Sequence, residues 1–120
     1  MTFEVKLDEI NQLIHARFNA DSTIEDWKNA LEIVMKLYGE TNIYHVLVDV
    51  RKQTDLAGTF DLFEFASNLP HSMVFAVLCD LQLDEHRFIE TVATNRGITV
   101  KDFDSEQDAI DWLNKLPDKK

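Results

Sequence analysis

The chain has 120 residues, a length that suits one hydrophobic core, so we predict a single domain over residues 1–117 and a frayed, charged tail at residues 118–120. Its 22 acidic and 12 basic residues give a formal net charge of −10, which argues against nucleic acids and anionic membrane surfaces as partners. Cys79 has no second cysteine with which to pair. We find no leader and no apolar run of membrane length, so we expect a cytoplasmic protein without membrane insertion.

The first predicted element is a β-hairpin. Phe3, Val5 and Leu7 alternate with polar residues, and a polar turn separates them from a second apolar run at residues 13–18. Alternation with a period of two is typical of strands that bury one face. We therefore expect two antiparallel strands at the start of the chain.

An amphipathic helix follows the hairpin. Ser22 and Glu25 have the spacing of a capping box, in which each side chain satisfies a free N–H group at the helix start. The apolar residues that recur at helical spacing are Ile24, Trp27, Leu31, Val34, Met35 and Tyr38. Gly39 can adopt the left-handed conformation that ends helices, so we predict a helix that ends there.

The middle of the chain predicts a parallel crossover. Residues 43–50 and residues 73–79 are nearly continuous apolar runs, the pattern of strands covered on both faces. Between them, residues 60–69 carry apolar side chains at helical spacing and Pro70 follows. Strand, helix and strand in this order imply two parallel strands in one sheet.

The last third repeats the alternation of helix and strand. We predict a helix over residues 84–96 that Gly97 ends, a strand over residues 98–103, and a helix that Ser105 caps and Pro117 follows. The order of elements is ββαβαβαβα, which predicts an α/β fold with four helices and a mixed central sheet that has an antiparallel edge.

Three stretches of the chain support a family resemblance. They are Val46-Leu47-Val48-Asp49-Val50, Ala76-Val77-Leu78-Cys79-Asp80, and the closing helix with Phe103, Glu106, Ala109, Trp112 and Leu113. Together with the order of elements, they resemble the STAS domain family of the anti-sigma-factor-antagonist type, and more narrowly its SpoIIAA-like branch. The resemblance covers most of the chain, and it implies a STAS-like fold and a regulatory role in protein binding.

The chain departs from that family at the phosphorylation loop. Regulatory members carry an Asp-Ser-Ser-Gly-type sequence whose second serine accepts a phosphate, whereas the corresponding residues here are Asp55-Leu56-Ala57-Gly58. Ala57 has no hydroxyl group, so that switch cannot operate at this position. Thr59 is an alternative acceptor, although a helix-capping role explains it as well.

The crevice beyond the carboxyl ends of parallel strands is the usual binding site of open α/β sheets. The loops at residues 51–59 and 80–84 lie there, and Phe65 falls off the apolar stripe of the predicted second helix. The predicted recognition residues are Arg51, Lys52, Asp55, Ala57, Gly58, Thr59, Phe65 and Asp80. Each of them also fits an ordinary solvated or packing role.

The sequence contains no pattern that predicts catalysis. Asp49 and Asp80 end neighbouring strands, but a phosphoryl-transfer site would also need acidic residues after the first strand. The histidines lack metal-binding spacing, and there is no phosphate loop or nucleophile elbow. We predict a non-enzymatic module without cofactor or metal that binds a protein partner. A carrier of a small apolar or lipid-like ligand is the alternative, and a homodimer remains open.

Overall fold

The apolar runs of the sequence form the strands of one sheet. The computed structural model describes residues 3–19, 23–52, 68–79 and 84–115, the last range without the side chains of residues 84–89. The five strands among these residues are β1 (Phe3–Asp8), β2 (Leu13–Phe18), β3 (His45–Asp49), β4 (Val74–Leu78) and β5 (Thr99–Phe103). Their spatial order follows the chain order. β1 and β2 are antiparallel and the other pairs are parallel, which confirms the predicted hairpin and mixed sheet.

The described part of the chain contains three helices rather than the predicted four: α1 (Ile24–Thr41), α2 (Asp84–Asn95) and α3 (Glu106–Lys115). Most of the remaining predicted helix, residues 60–67, lies outside the described residues, as does the predicted tail at residues 118–120. Asn68 and Leu69 form a turn and a bend. The prediction that this helix continues to Leu69 was therefore wrong.

Both predicted ends of α1 need correction. The N-cap is Thr23, whose Oγ1 accepts a hydrogen bond from the Asp26 N–H at 3.2 Å, while the Asp26 carboxylate accepts one from the Thr23 N–H at 3.1 Å. The capping box is thus one residue later than predicted. At the other end, the helix continues past Gly39, and Asn42 takes the left-handed conformation with a φ of 63°. Asparagine tolerates that conformation better than other residues with a side chain.

The predicted helix end at Gly97 and the predicted cap at Ser105 are confirmed, whereas Pro117 lies outside the described residues. Gly97 follows α2 with a φ of +79°, which glycine adopts without steric cost. The N–H of Asp108 points to the Ser105 hydroxyl at 3.4 Å, so Ser105 caps α3. None of the described helices is both long and apolar enough to cross a membrane.

Apolar residues fill both faces of the sheet, because successive side chains of a strand point to opposite faces. On one face, α1 contributes Trp27, Ala30 and Val34 to the core, and α2 contributes Val92 and Ala93. On the other face, α3 packs on β3, β4 and β5, beside a smaller cluster of Leu13, Leu47, Ala76, Leu78, Ala109 and Leu113. Burial on both faces explains the continuous apolar runs of the central strands. Cys79, which has no second cysteine with which to pair, is buried in this core.

Candidate functional site

A group of charged side chains lies at the carboxyl ends of β2 and β3, on the face that α3 covers. In the parallel register of these strands, Arg17 lies opposite Asp49. His15 and Arg17 share a face with the core residue Leu13, because they are two and four residues further along the strand. Glu106, the first residue of α3, approaches Arg51 from above this face, with 3.8 Å between its Oε1 and the Arg51 Nη2. Strands and a helix therefore position His15, Arg17, Asp49 and Glu106, and Arg51 lies in the turn after β3.

Asp49 is the centre of the group. Among the described residues it is the one buried charged side chain, with 5% of its surface exposed. Arg51 holds both of its carboxylate oxygens: Nε donates to Oδ1 at 3.0 Å and Nη2 donates to Oδ2 at 2.8 Å. The Arg51 backbone N–H donates to Oδ1 as well, at 3.1 Å. Two parallel charge-assisted hydrogen bonds of this kind fix the plane of a guanidinium group.

The ionisation state of Asp49 follows from these contacts. Burial by itself raises the pKa of Asp49, but the hydrogen bonds from the side chain and backbone of Arg51, followed by the charges of Arg51 and Arg17, leave that pKa below its ordinary value. The same hydrogen bond raises the pKa of Arg51. Asp49 is therefore an ionised carboxylate at neutral pH, with its oxygens already occupied.

A cleft of about 410 Å³ opens beside this pair, lined by Arg17, Phe18, Asp49, Arg51 and Lys52. The side chains of Arg17 and Arg51 are 42% and 43% exposed, so both guanidinium groups are in contact with solvent. Lys52 is exposed too. We name this site, bounded by Arg17, Arg51 and Lys52, the basic cleft. It is a concentration of positive charge on a chain whose formal net charge is −10.

His15 lies next to the basic cleft with a buried, unpaired ring nitrogen. Its Nε2 makes no hydrogen bond to any described residue. Burial, and after it the positive charge of Arg17, lowers the pKa of His15 below its ordinary value, so the ring is neutral at pH 7.

His15, Asp49 and Glu106 place one possible metal-ligand atom each within 4.8 Å of one another. They come from two strands and a helix, which is why sequence spacing did not predict a metal site here. The geometry suits a small divalent cation, but Arg51 occupies both oxygens of Asp49. A metal ion would have to displace that guanidinium group and would meet the positive charges of Arg17 and Arg51, so the arginines oppose a cation at this position.

The structure describes only two of the predicted recognition residues. Arg51 and Lys52 line the basic cleft at the predicted edge of the sheet. The other predicted recognition residues lie outside the described residues: Asp55, Ala57, Gly58, Thr59, Phe65 and Asp80.

Three residues of the site were missed by sequence reasoning: His15, Arg17 and Glu106. The sequence did contain one signal for Arg17. The predicted first helix connects the second strand of the hairpin to the next strand, and strand, helix and strand in this order form a parallel crossover. The hairpin's second strand therefore also ends at the binding edge. Glu106 gave no such signal, since its approach to Arg51 depends on how α3 packs.

An apolar cavity lies on the opposite face, between α1 and the sheet, with a volume of about 60 Å³. The described residues around it include Trp27 and Leu31 of α1, Val46 and Val48 of β3, and Leu69. A dry cavity that binds benzene has a volume of roughly 150 Å³. The space between the described walls is therefore smaller than even a single aromatic ring requires.

Together, the described elements define an α/β protein with a mixed five-stranded sheet. Its sequence matches no protein-family model and no curated protein. One solved structure that it resembles is an uncharacterised DUF3478 family protein from Shewanella loihica PV-4 with a SpoIIAA-like fold. The likeness has a TM-score of 0.62 and covers 92% of this chain and 91% of that one at 16% sequence identity. The chain thus has a SpoIIAA-like fold, as the sequence resemblance predicted. A likeness at 16% sequence identity shows a shared fold and nothing about function.

Proposed function

We propose that this chain is a non-enzymatic, STAS-like module that regulates a protein partner by binding it at the carboxyl ends of the parallel strands. The observation that carries the proposal is the basic cleft, in which a buried carboxylate holds a half-exposed guanidinium group in one orientation. An ordered arginine at a surface is a frequent energetic anchor of protein interfaces, because little side-chain entropy remains to be lost on binding.

The chemistry of the cleft supports binding rather than catalysis. Asp49 is ionised and both of its oxygens accept hydrogen bonds from Arg51, so it is poorly suited to take up or release a proton during a reaction. Ala57 has no hydroxyl group, so we expect partner binding that does not depend on phosphorylation at that position. We also propose that the protein is cytoplasmic.

Affinity capture tests the proposal with three baits. They are the wild type, the charge-reversal variant Arg17→Glu/Lys52→Glu, and the matched control Lys28→Glu/Lys36→Glu on the exposed side of α1. We expect one or a few proteins to bind the wild type and the control, and to bind the cleft variant about tenfold more weakly when their affinities are measured with purified components. Absence of any specifically retained protein would contradict the proposed function.

A carrier of a small apolar ligand is the second candidate, and the apolar lining of the cavity under α1 is the observation that favours it; at about 60 Å³ this cavity would have to widen to admit a ligand. Native mass spectrometry of gently purified protein tests this candidate. A co-purifying apolar molecule of constant mass would support it, whereas the bare mass of the chain in every preparation would count against it. The same spectra show whether the chain forms a homodimer.

A further inference from the structure

The basic cleft has more hydrogen-bond donors than the surrounding residues can satisfy. A guanidinium group carries five N–H donors, and Arg51 directs its Nε and one donor of Nη2 at Asp49. The Glu106 carboxylate is 3.8 Å from Nη2, which is too far for a hydrogen bond. Within the described part of the chain, the remaining donors of Arg51 are left for a ligand.

Arg17 and Lys52 add further donors to the same space. The Arg17 Nε is 3.8 Å from the Asp49 Oδ2, an ionic contact but again too long for a hydrogen bond. Lys52 forms no ion pair with any described residue, and its side chain reaches the same cleft. Two guanidinium groups and an ammonium group thus face one opening.

The balance of charge decides which ligand the cleft suits. Among the described residues around it, the positive side chains are Arg17, Arg51 and Lys52, and the negative ones are Asp49 and Glu106. One positive charge is therefore in excess. Asp49 is buried and turned towards Arg51, so the groups presented to solvent are mainly cationic.

We propose that the basic cleft binds an oxyanion group, a carboxylate or a phosphate, through the free N–H donors of Arg17 and Arg51 and the ammonium group of Lys52. Planar guanidinium groups match the paired oxygens of both oxyanions. This inference rests on the proposed function for the source of the group, which is an acidic or phosphorylated residue of the protein partner. Since charge interactions decay over about 8 Å at physiological salt, the cleft attracts such a group locally despite the acidic chain around it.

Titrations followed by two-dimensional NMR test the inference on the intact chain. The probes are sodium phosphate and sodium glutarate in separate experiments at pH 7.5, with sodium chloride at equal ionic strength as the control. We expect saturable shifts of the Arg17, Arg51 and Lys52 amide signals and of the arginine Nε–H signals with at least one probe, and no saturation with chloride.

Variants show whether the shifts come from the cleft. Arg17→Gln/Lys52→Gln removes two cations and leaves the Asp49–Arg51 hydrogen bonds in place, so its fold should be preserved. We expect it to bind the probe about tenfold more weakly, and Lys28→Gln/Lys36→Gln to bind as the wild type does. Saturation by phosphate alone assigns a phosphorylated partner residue, and saturation by glutarate alone assigns a carboxylate; saturation by both supports the oxyanion site in general.

Two titration results would overturn the inference: no saturable shift with either probe, or equal affinity for the probe in the wild type and Arg17→Gln/Lys52→Gln. A protein partner that binds both of these chains equally would also overturn it, while the interaction function itself would stand. Conversely, saturable binding of a probe without any protein partner would support the oxyanion site and contradict the proposed function.

Discussion

Substitution of Arg51 by methionine should destabilise the fold through Asp49. The substitution keeps an extended side chain and removes both side-chain hydrogen bonds to a carboxylate that is 5% exposed. Breaking a fully buried ion pair costs about 3–5 kcal/mol. The Arg51 side chain is 43% exposed, and the backbone N–H of residue 51 still reaches Asp49. We therefore expect a loss of about 2 kcal/mol in the free energy of unfolding.

Arg17→Met is the matched control for this experiment. It removes the same charge from a side chain that is 42% exposed and contacts the same carboxylate, but at 3.8 Å rather than 2.8 Å. Without a hydrogen bond to lose, it should cost less than about 1 kcal/mol. Urea denaturation at pH 7.5 measures both values, and equal effects of the two substitutions would refute the reasoning.

The pH dependence of the difference between wild type and Arg51→Met gives a second check. The pKa of Asp49 is lowered in the folded protein, so its pairing stabilises the fold at pH values above the unfolded-state pKa, about 3.9. That contribution is lost as the pH falls through the lower folded-state pKa. In Arg51→Met the buried carboxylate takes up a proton at higher pH, so the stability difference between the two chains should narrow in acid. A difference that stays constant down to pH 3 would exclude Asp49 as its source.

The remaining predictions concern the titration of His15, the N-cap of α1 and two glycines. The pKa of His15 is lowered by folding, so the free energy of unfolding should fall as the pH drops below about 6.5. In urea denaturation from pH 7.5 to 5, His15→Asn should show a weaker dependence of that free energy on pH than the wild type. Parallel pH profiles of the two chains would contradict this. Thr23→Ala should cost about 1 kcal/mol because it removes the N-cap, whereas Ser22→Ala should cost less. Gly39→Ala should stabilise the protein by about 0.5–1 kcal/mol, since the new methyl group meets no atom within 4 Å in a helix. Gly97→Ala, at a φ of +79°, should destabilise it by about 1 kcal/mol; thermal melts that shift both glycine variants in the same direction would refute the assignment.

Local sequence patterns predicted the helices and strands well, because apolar residues recur with the period of the element that buries them. The hairpin and the continuous runs of β3 and β4 could be recognised without any knowledge of long-range contacts. The start of α1 could not be located in this way, because the sequence offers two capping-box patterns, Ser22 with Glu25 and Thr23 with Asp26. Only the backbone geometry distinguishes these two caps.

The candidate site was predictable only where one strand carries it. Arg51 and Lys52 lie in the turn one residue after β3, so the rule that ligands bind at the carboxyl ends of strands was sufficient to select them. Arg17 required the pairing of β2 with β3, and Glu106 required the packing of α3 on the sheet. The spatial meeting of these residues arises from tertiary contacts that no local pattern records.

The buried position of Asp49 is the strongest physical argument that the basic cleft has a role beyond stability. Removing a carboxylate from water is costly, and replacing a buried ion pair with apolar residues is often neutral or stabilising. Asp49 faces the same side of the sheet as Leu47, which belongs to the apolar cluster under α3. An apolar residue at position 49 could extend that cluster. The ion pair provides something that an apolar residue cannot. Two hydrogen bonds to Asp49 fix the orientation of the Arg51 guanidinium group, and its other N–H donors do not point at Asp49. A fixed orientation of those donors matters only to a group that binds them, and this favours recognition as the role of the cleft.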